Sequence, residues 1–373
     1  MAVKKKVKTP DRDEMAQIIA DSLNSLMSEE DQVAFFLDGY DDTPIDLDDW
    51  VPTGATMLDL AISNRPHGGL PVGRIVEITG LEQSGKSLLA AHVIANTQKR
   101  GGIGVIIDTE ASVHDDFYRA IGLDMTKLVY VHAEAIEDVF DMITNIIEKV
   151  RKTEKDKIVT IVVDSVSAAS TKSEIESKFT KDGYATDKAI ILSKAMRKVT
   201  NMLAKQRILL IFTNQLRQKM NAMPFADQYT TSGGMSLRFH SSVRLRLKMV
   251  SKIKNSSNDV IGVSVKAIVV KNRCGPPLRE ATFDIYFDRG IDDYSAWLKV
   301  MKEKKLIKQA GAWYKFTDED GEEHKFQSKD FAEFLEAEPD RKDKIYNDIC
   351  ENIIMAYRST DKKPIFEDNG EDK

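Results

Sequence analysis

From Arg74 to Ser87 the chain reads RIVEITGLEQSGKS, and this stretch decides the fold class. Arg74 to Thr79, with Ile75, Val76 and Ile78, reads as a short apolar run, which predicts a strand covered on both faces. The next eight residues, Gly80, Leu81, Glu82, Gln83, Ser84, Gly85, Lys86 and Ser87, match G-x-x-x-x-G-K-[ST]. From Lys86 to Gln98 the apolar spacing becomes helical. A glycine turn between strand and helix aims several backbone N–H groups and the positive end of the helix at one point, where an anion can sit. The loop, with Leu88 behind it, is therefore expected to bind a nucleoside triphosphate. Lys86 would reach the β and γ phosphates and Ser87 would ligate Mg²⁺.

Further along, Ile103 to Ile107, Leu128 to Val131, Ile158 to Val163 and Ile208 to Phe212 are again short apolar runs, predicted as buried strands. Helical patterns at Glu137 to Lys152 and Asp187 to Lys205 separate them, an alternation that gives a mainly parallel sheet flanked by helices. After Asp227 the runs Ser242 to Val250, Val260 to Lys271 and Ala281 to Phe287 follow without helices, and are expected to extend the sheet with antiparallel strands. Residues 1–49 form an arm whose helix runs through Met15, Ile18, Ile19, Leu23 and Leu26. Residues 50–290 form the α/β core. Residues 291–373 form a small domain with an acidic end, expected to be disordered, at Glu367, Asp368, Glu371 and Asp372.

Three strand ends carry chemistry. Asp164 closes the run Ile158 to Val163, where an acid beside such a loop holds magnesium, commonly through water; a helix cap is the plainer alternative. Ile103 to Ile107 runs into Asp108, Thr109 and Glu110. Hydrolysis needs a group that orients and deprotonates water. Glu110 is favoured over Asp108, which continues the strand and would tie down the loop. Gln215, after Thr213 and Asn214, offers an amide able to report whether the γ phosphate is present.

The 373 residues carry a net charge of −5, with 42% hydrophobic and 30% charged residues, a soluble composition rather than a disordered one. Spanning a bilayer takes about 20 apolar residues, whereas the best run here ends at Asp164. Lys4 to Lys6 precede no apolar segment, so no secretory signal is expected and a cytoplasmic location is. Two cysteines, Cys274 and Cys350, make neither a disulfide framework nor a zinc site. The average charge conceals a basic stretch: Gln215 to Arg279 holds twelve Lys or Arg against Asp227 and Asp259, while acid gathers near the start at Asp38, Asp41, Asp42, Asp46, Asp48 and Asp49. Within the basic stretch, Leu216 to Gly234 reads as a long loop suited to gripping single-stranded nucleic acid. Arg217 and Lys219 serve phosphates, Met223 and Phe225 serve bases, and Thr231, Ser232, Gly233 and Gly234 close the loop. A floppy connector is the alternative.

These stretches together resemble the RecA family of recombinases, and within it the RecA-type proteins encoded by bacteriophages. The resemblance runs from about Val51 to Ile291. It is carried by Thr53 and Gly54, GGLPVGRIVE from Gly68, the loop at Gly80 to Ser87, Asp108 to Glu110, Ile161 to Ser165, LLIFTNQLR from Leu209, TTSGGMSLRF from Thr230 and VKNR from Val270. It implies a RecA-like ATPase core and ATP with Mg²⁺. It also implies filaments on single-stranded DNA that pair it with homologous double-stranded DNA, with single-strand-binding and mediator proteins as partners. By position Glu110 matches the catalytic glutamate, Gln215 the coupling glutamine and Tyr118 the aromatic residue near adenine. Ser173 to Thr186 and Leu216 to Ser232 match the two DNA loops. Lys271 and Arg273 match cations that reach a neighbouring subunit's γ phosphate. Arg273 stands where the bacterial pattern has Lys, and the second loop is about one residue longer and contains Pro224. A phage origin would make the compartment the host cytoplasm. A loader or regulator that does not exchange strands is the alternative reading, and a small-molecule kinase a more distant one.

Overall fold

The computed structural model describes residues 12–27, 32–38, 41, 43, 46–47, 49–111, 115–154, 156–177, 184–203, 206–219, 228–318 and 321–356. The expected loop tip with Met223, Pro224 and Phe225, residues 178–183 of the first loop, Asp42, Asp48 and the acidic end lie outside them. The chain forms two compact units, Met1–Asp48 and Asp49–Lys373.

In the first unit, the helix Glu14–Ser25 is capped by Asp13, whose carboxylate accepts from Ala16 N at 3.0 Å. Its apolar residues Met15, Ile18, Ile19 and Leu23 are exposed within the chain. Arg12 pairs with Asp38 at 2.7 Å and Asp41 at 2.8 Å and lies over the Phe36 ring, so these acids are engaged locally rather than solvated.

The second unit is organised on a ten-stranded sheet: β1 Ile75–Gly80, β2 Ile103–Asp108, β3 Leu128–His132, β4 Val159–Asp164, β5 Ile208–Gln218, β6 Tyr229–Thr231, β7 Val243–Lys254, β8 Val260–Asn272, β9 Glu280–Tyr286 and β10 Gly290–Asp292. Their spatial order is β10-β9-β8-β7-β1-β5-β4-β2-β3, with β6 paired to the far end of β5. From β3 to β1 all neighbours are parallel. β7 also joins β1 in parallel, and only from β8 onward is the extension antiparallel, a correction to the sequence reading of three antiparallel additions.

Successive residues of a strand face opposite sides. Val76 and Ile78 of β1 and Leu209 and Ile211 of β5 therefore enter one buried cluster with the helices Thr56–Ser63, Lys86–Lys99 and Asp293–Glu303. Ile75, Leu210 and Phe212 enter another, under the helices Ile136–Thr153 and Tyr184–Leu203. Each fully buried Leu, Ile or Phe contributes about 1.5–3 kcal/mol relative to exposure. β3 departs from the expected burial: Val129 and Tyr130 are 50% and 47% exposed, because β3 ends the sheet and nothing pairs with its outer edge among the described residues.

After β10 come the helix Asp293–Glu303, three antiparallel strands at Lys308–Ala310, Trp313–Thr317 and Glu323–Gln327, and the helices Phe331–Glu336 and Pro339–Ile353. Their aromatic residues Phe316, Phe326 and Phe331 continue the first buried cluster. Arg279 clamps the two parts, donating to Leu60 O and Ile353 O at 3.1 and 2.7 Å. Among the described residues no helix is long and apolar enough to cross a membrane.

Candidate functional site

The parallel register brings the expected residues to one edge of the sheet. Gly80 is level with Gln215, Val163 with Phe212, and Asp108 with Asp164. Above this edge lies a cleft of about 350 Å³ lined by Glu82, Gln83, Lys86, Ser87, Glu110, Phe117, Tyr118, Asp164, Ser165 and Gln215. Among the described residues lining it, Lys86 is the one cation.

The loop is already shaped for an anion. Gly85 sits at φ +86°, a left-handed conformation that suits glycine, and opens the helix Lys86–Lys99. A Cβ on Gly80 would collide with Ser84 Oγ and the Leu247 carbonyl oxygen. Leu81 O accepts from both Ser84 Oγ at 2.8 Å and Lys86 Nζ at 2.9 Å, so the lysine closes the loop on itself. Burial lowers the Lys86 pKa, opposed by the charges of Asp164, Glu110 and Glu82. An anionic phosphate on the lysine would favour its charged form.

Asp164 accepts from Thr213 Oγ1 at 2.5 Å. Burial raises its pKa, and the hydroxyls of Ser87 and Thr213 counter this. A half-buried carboxylate beside a serine hydroxyl at the foot of a phosphate cradle is a donor set suited to Mg²⁺, which prefers oxygen ligands and keeps several waters. Glu110 is exposed and its Oε1 accepts from Ser165 Oγ at 2.6 Å. Asp108 is fully buried; its Oδ1 accepts from Glu110 N at 2.9 Å and its Oδ2 from Tyr130 OH at 3.2 Å. The geometry separates the two acids: one is free to meet solvent in the cleft, the other fixes the loop. Tyr118 is 6% exposed, on the helix Asp115–Ala120 at the cleft wall, and burial pushes its phenol above the usual range.

Gln215 leads directly out of the cleft into the basic segment. That segment is not structureless as far as it is described. β5 continues through Arg217 to Gln218 and pairs with β6, placing Leu216 opposite Thr231 and Arg217 opposite Thr230, so the expected loop begins as a hairpin stem. Leu216 to Gln218 escaped the sequence reading because a strand leaving the core loses its apolar pattern; Arg217, Gln218 and Lys219 are exposed. Gly233 and Gly234, both at positive φ, return the chain against Leu192 and Ala189 of the helix Tyr184–Leu203.

Lys271 and Arg273 are not in the cleft of their own subunit. Lys271 Nζ donates to Arg238 O and Phe239 O at 2.8 and 2.9 Å, capping the helix Ser236–His240. Arg273 is exposed. Residues that the sequence reading did not single out also belong here: Ser165 and Thr213 hold the two cleft carboxylates, and Phe117 lines the cleft beside Tyr118.

A sequence profile described as the RecA N-terminal domain matches residues 37–292, most of the chain. The chain belongs to the RecA family. It is 36% identical over 315 residues to "Protein RecA" of Leifsonia xyli subsp. xyli, which covers 84% of each chain. To "Protein RecA" of Lactobacillus acidophilus it is 35% identical over 322 residues, 86% of this chain and 83% of the relative. To that of Wolinella succinogenes it is 34% identical over 326 residues, 87% and 88%. These matches reach well beyond residue range 37–292, so the RecA likeness includes part of the chain outside the matched domain.

Proposed function

We propose that this protein is an ATP-dependent recombinase. It assembles as a filament on single-stranded DNA, pairs that strand with homologous double-stranded DNA and exchanges strands, hydrolysing ATP faster when DNA is bound. The observation that carries this reading is the position of Gln215, level with Gly80 in the phosphate cradle and at the root of the Arg217-bearing hairpin. One side chain thus stands between a nucleotide site and a basic arm. The family membership supports the same reading, and a loader that never exchanges strands is the less favoured one.

In this reading the backbone N–H groups of Gly80 to Ser87 and the Lys86 ammonium hold the triphosphate, with Leu88 behind the loop and Tyr118 beside the base. Ser87 and Asp164 hold Mg²⁺, which supplies charge neutralisation on the phosphate oxygens. Glu110 orients and deprotonates the attacking water, and Ser165 aims its carboxylate. Lys271 and Arg273 leave their subunit's surface to meet a neighbour's γ phosphate. Arg217, Lys219, Met223, Phe225 and Thr231 to Gly234 contact DNA. Residues 1–49 act as the arm, 50–290 as the ATPase core and 291–373 as a small appended domain. Single-strand-binding and mediator proteins are the further partners, in a cytoplasmic setting. The phage-encoded type is the finer placement, resting on Tyr294 to Tyr357; the neighbourhood of its gene tests that directly.

The decisive experiment measures ATP hydrolysis with and without single-stranded DNA, then strand transfer between homologous oligonucleotides. Stimulation with transfer is expected. Stimulation without transfer would favour the loader, and hydrolysis indifferent to DNA would overturn both.

A further inference from the structure

The centre of a parallel sheet is ordinarily apolar on both faces, yet a polar cluster crosses the middle of this one. Glu77 of β1 is fully buried, and its Oε2 accepts from Arg244 Nε at 2.5 Å; Arg244, on β7, is itself buried. The other oxygen, Oε1, accepts from Asn214 Nδ2 at 3.0 Å. The same amide donates to Ser232 O at 3.1 Å, and its Oδ1 accepts from Ser167 Oγ at 2.8 Å. Ser167 Oγ in turn accepts from Gln215 N at 2.8 Å. Asn214 therefore uses both N–H donors and its carbonyl oxygen, and it joins Glu77, the close of the second loop and, through Ser167, the backbone of Gln215.

On the other side, Arg244 is the cross-strand partner of Lys271. Two cations directly opposite repel, and Glu77 is the counter-charge within reach of both: the Lys271 pKa is lowered by burial and by Arg273 and Arg244, and raised by Glu77. Lys271 here caps the helix Ser236–His240. Held by Arg238 O and Phe239 O, the ammonium gives up these two bonds if it reaches out to a phosphate of another subunit, so it has two positions to choose between. A buried ion pair is weak evidence for stability, since apolar residues of similar volume often do as well. Its location between Gln215 at the cleft and Lys271 on β8 calls for a different account.

We propose that Glu77, together with Arg244 and Asn214, is a positioning unit that couples Gln215 to Lys271, so that the nucleotide state of one cradle sets whether that subunit's cation is held back or offered to its neighbour. This rests on the recombinase reading above. A displacement of Gln215 pulls on Ser167 and Asn214, shifts the Glu77 carboxylate relative to Arg244, and changes the balance of charge felt by Lys271.

The test compares wild type with Glu77→Gln, Arg244→Gln and the double variant. The readouts are melting temperature, basal and DNA-stimulated hydrolysis, and the steepness of the ATP dependence. Each single variant leaves a buried charge unpaired and lowers the melting temperature. The double variant removes both charges and regains most of it, with basal hydrolysis near wild type. Under the proposal its DNA stimulation still falls about tenfold, the scale of a typical coupling between sites, and its ATP dependence loses steepness. A double variant that regains thermal stability, stimulation and steepness together overturns the proposal, because the pair is then structural. If the double variant does not regain stability, Ser167→Ala, the loss of one half-buried hydroxyl, decides: reduced stimulation at an unchanged melting temperature supports the unit, and unchanged stimulation overturns it. A wild-type protein that DNA does not stimulate overturns the recombinase reading and the coupling with it, whereas a stimulated wild type with an equally stimulated double variant overturns the coupling alone.

Discussion

Two acids lie two positions apart at the end of β2, and their surroundings give them different work. Glu110 faces the cleft with one serine hydroxyl on it, whereas Asp108 is buried and holds the Glu110 N–H and the Tyr130 hydroxyl. Glu110→Gln is expected to slow hydrolysis by about two orders of magnitude, the loss of a general base, with nucleotide binding and melting temperature unchanged. Asp108→Asn should instead cost stability, about 1 kcal/mol for a weakened buried hydrogen bond, seen as an earlier denaturant midpoint. The reverse pattern would exchange their roles. Lys86→Ala should abolish ATP binding without unfolding, since the one hydrogen bond of its ammonium among the described residues is to Leu81 O. Normal turnover in a folded Lys86→Ala protein would remove the phosphate cradle from the account.

At the scale of elements, the helix that leaves the cradle is pinned to β10 by a neutral histidine. His92 Nε2 accepts from Ile291 N at 3.1 Å, and burial, with a smaller effect of Lys99, lowers its pKa to about 4. An unfolded chain takes up that proton near pH 6.5, the folded one only near 4, so the contribution of His92 to stability is lost as pH falls through this window. Between pH 7 and 5 wild type should lose about 2 kcal/mol more than His92→Gln in urea unfolding. Asp293, raised by burial to about 6, acts in the opposite direction but is common to both proteins. Parallel losses would remove His92 from the acid limb. The elements themselves were largely legible because strands covered on both faces are rich in apolar residues, as β2 and β4 are, and β1 apart from Glu77 and Thr79. β5 was read as ending at Phe212, since Thr213, Asn214 and Gln215 look like a loop. Thr213 and Asn214 are buried all the same, because Asp164 and Glu77 satisfy them. Lys86, Ser87, Glu110, Asp164 and Gln215 could be picked out by their place at strand ends. Glu77, Ser167 and Arg244 could not, because their roles depend on register between strands far apart in sequence.

For the whole molecule, the cleft of one subunit contains no cation but Lys86 among the described residues lining it, and Lys271 and Arg273 lie elsewhere. A protein carrying Lys271→Ala with Arg273→Ala should bind ATP and yet fail at DNA-stimulated hydrolysis. Mixed with Glu110→Gln protein it should recover part of the activity, because some contacts then join an intact Glu110 to intact cations. A mixture that co-assembles on DNA but turns over no faster than its inactive parts would exclude a site completed by the neighbour. The strand order has a further consequence, for the time the chain spends on the ribosome. β1, which carries the cradle, lies between β5 and β7, and the second of these flanks is not made until Leu247, 167 residues after Gly80. At synthesis rates of about 5–20 residues per second that is a wait of roughly 8–33 s. Until β5 is made both edges of β1 are unpaired, and until β7 is made one still is, open to other chains. Nascent chains stalled just short of Val243 should therefore be the ones that chaperones retain, and those stalled well past Lys254 the first to resist protease.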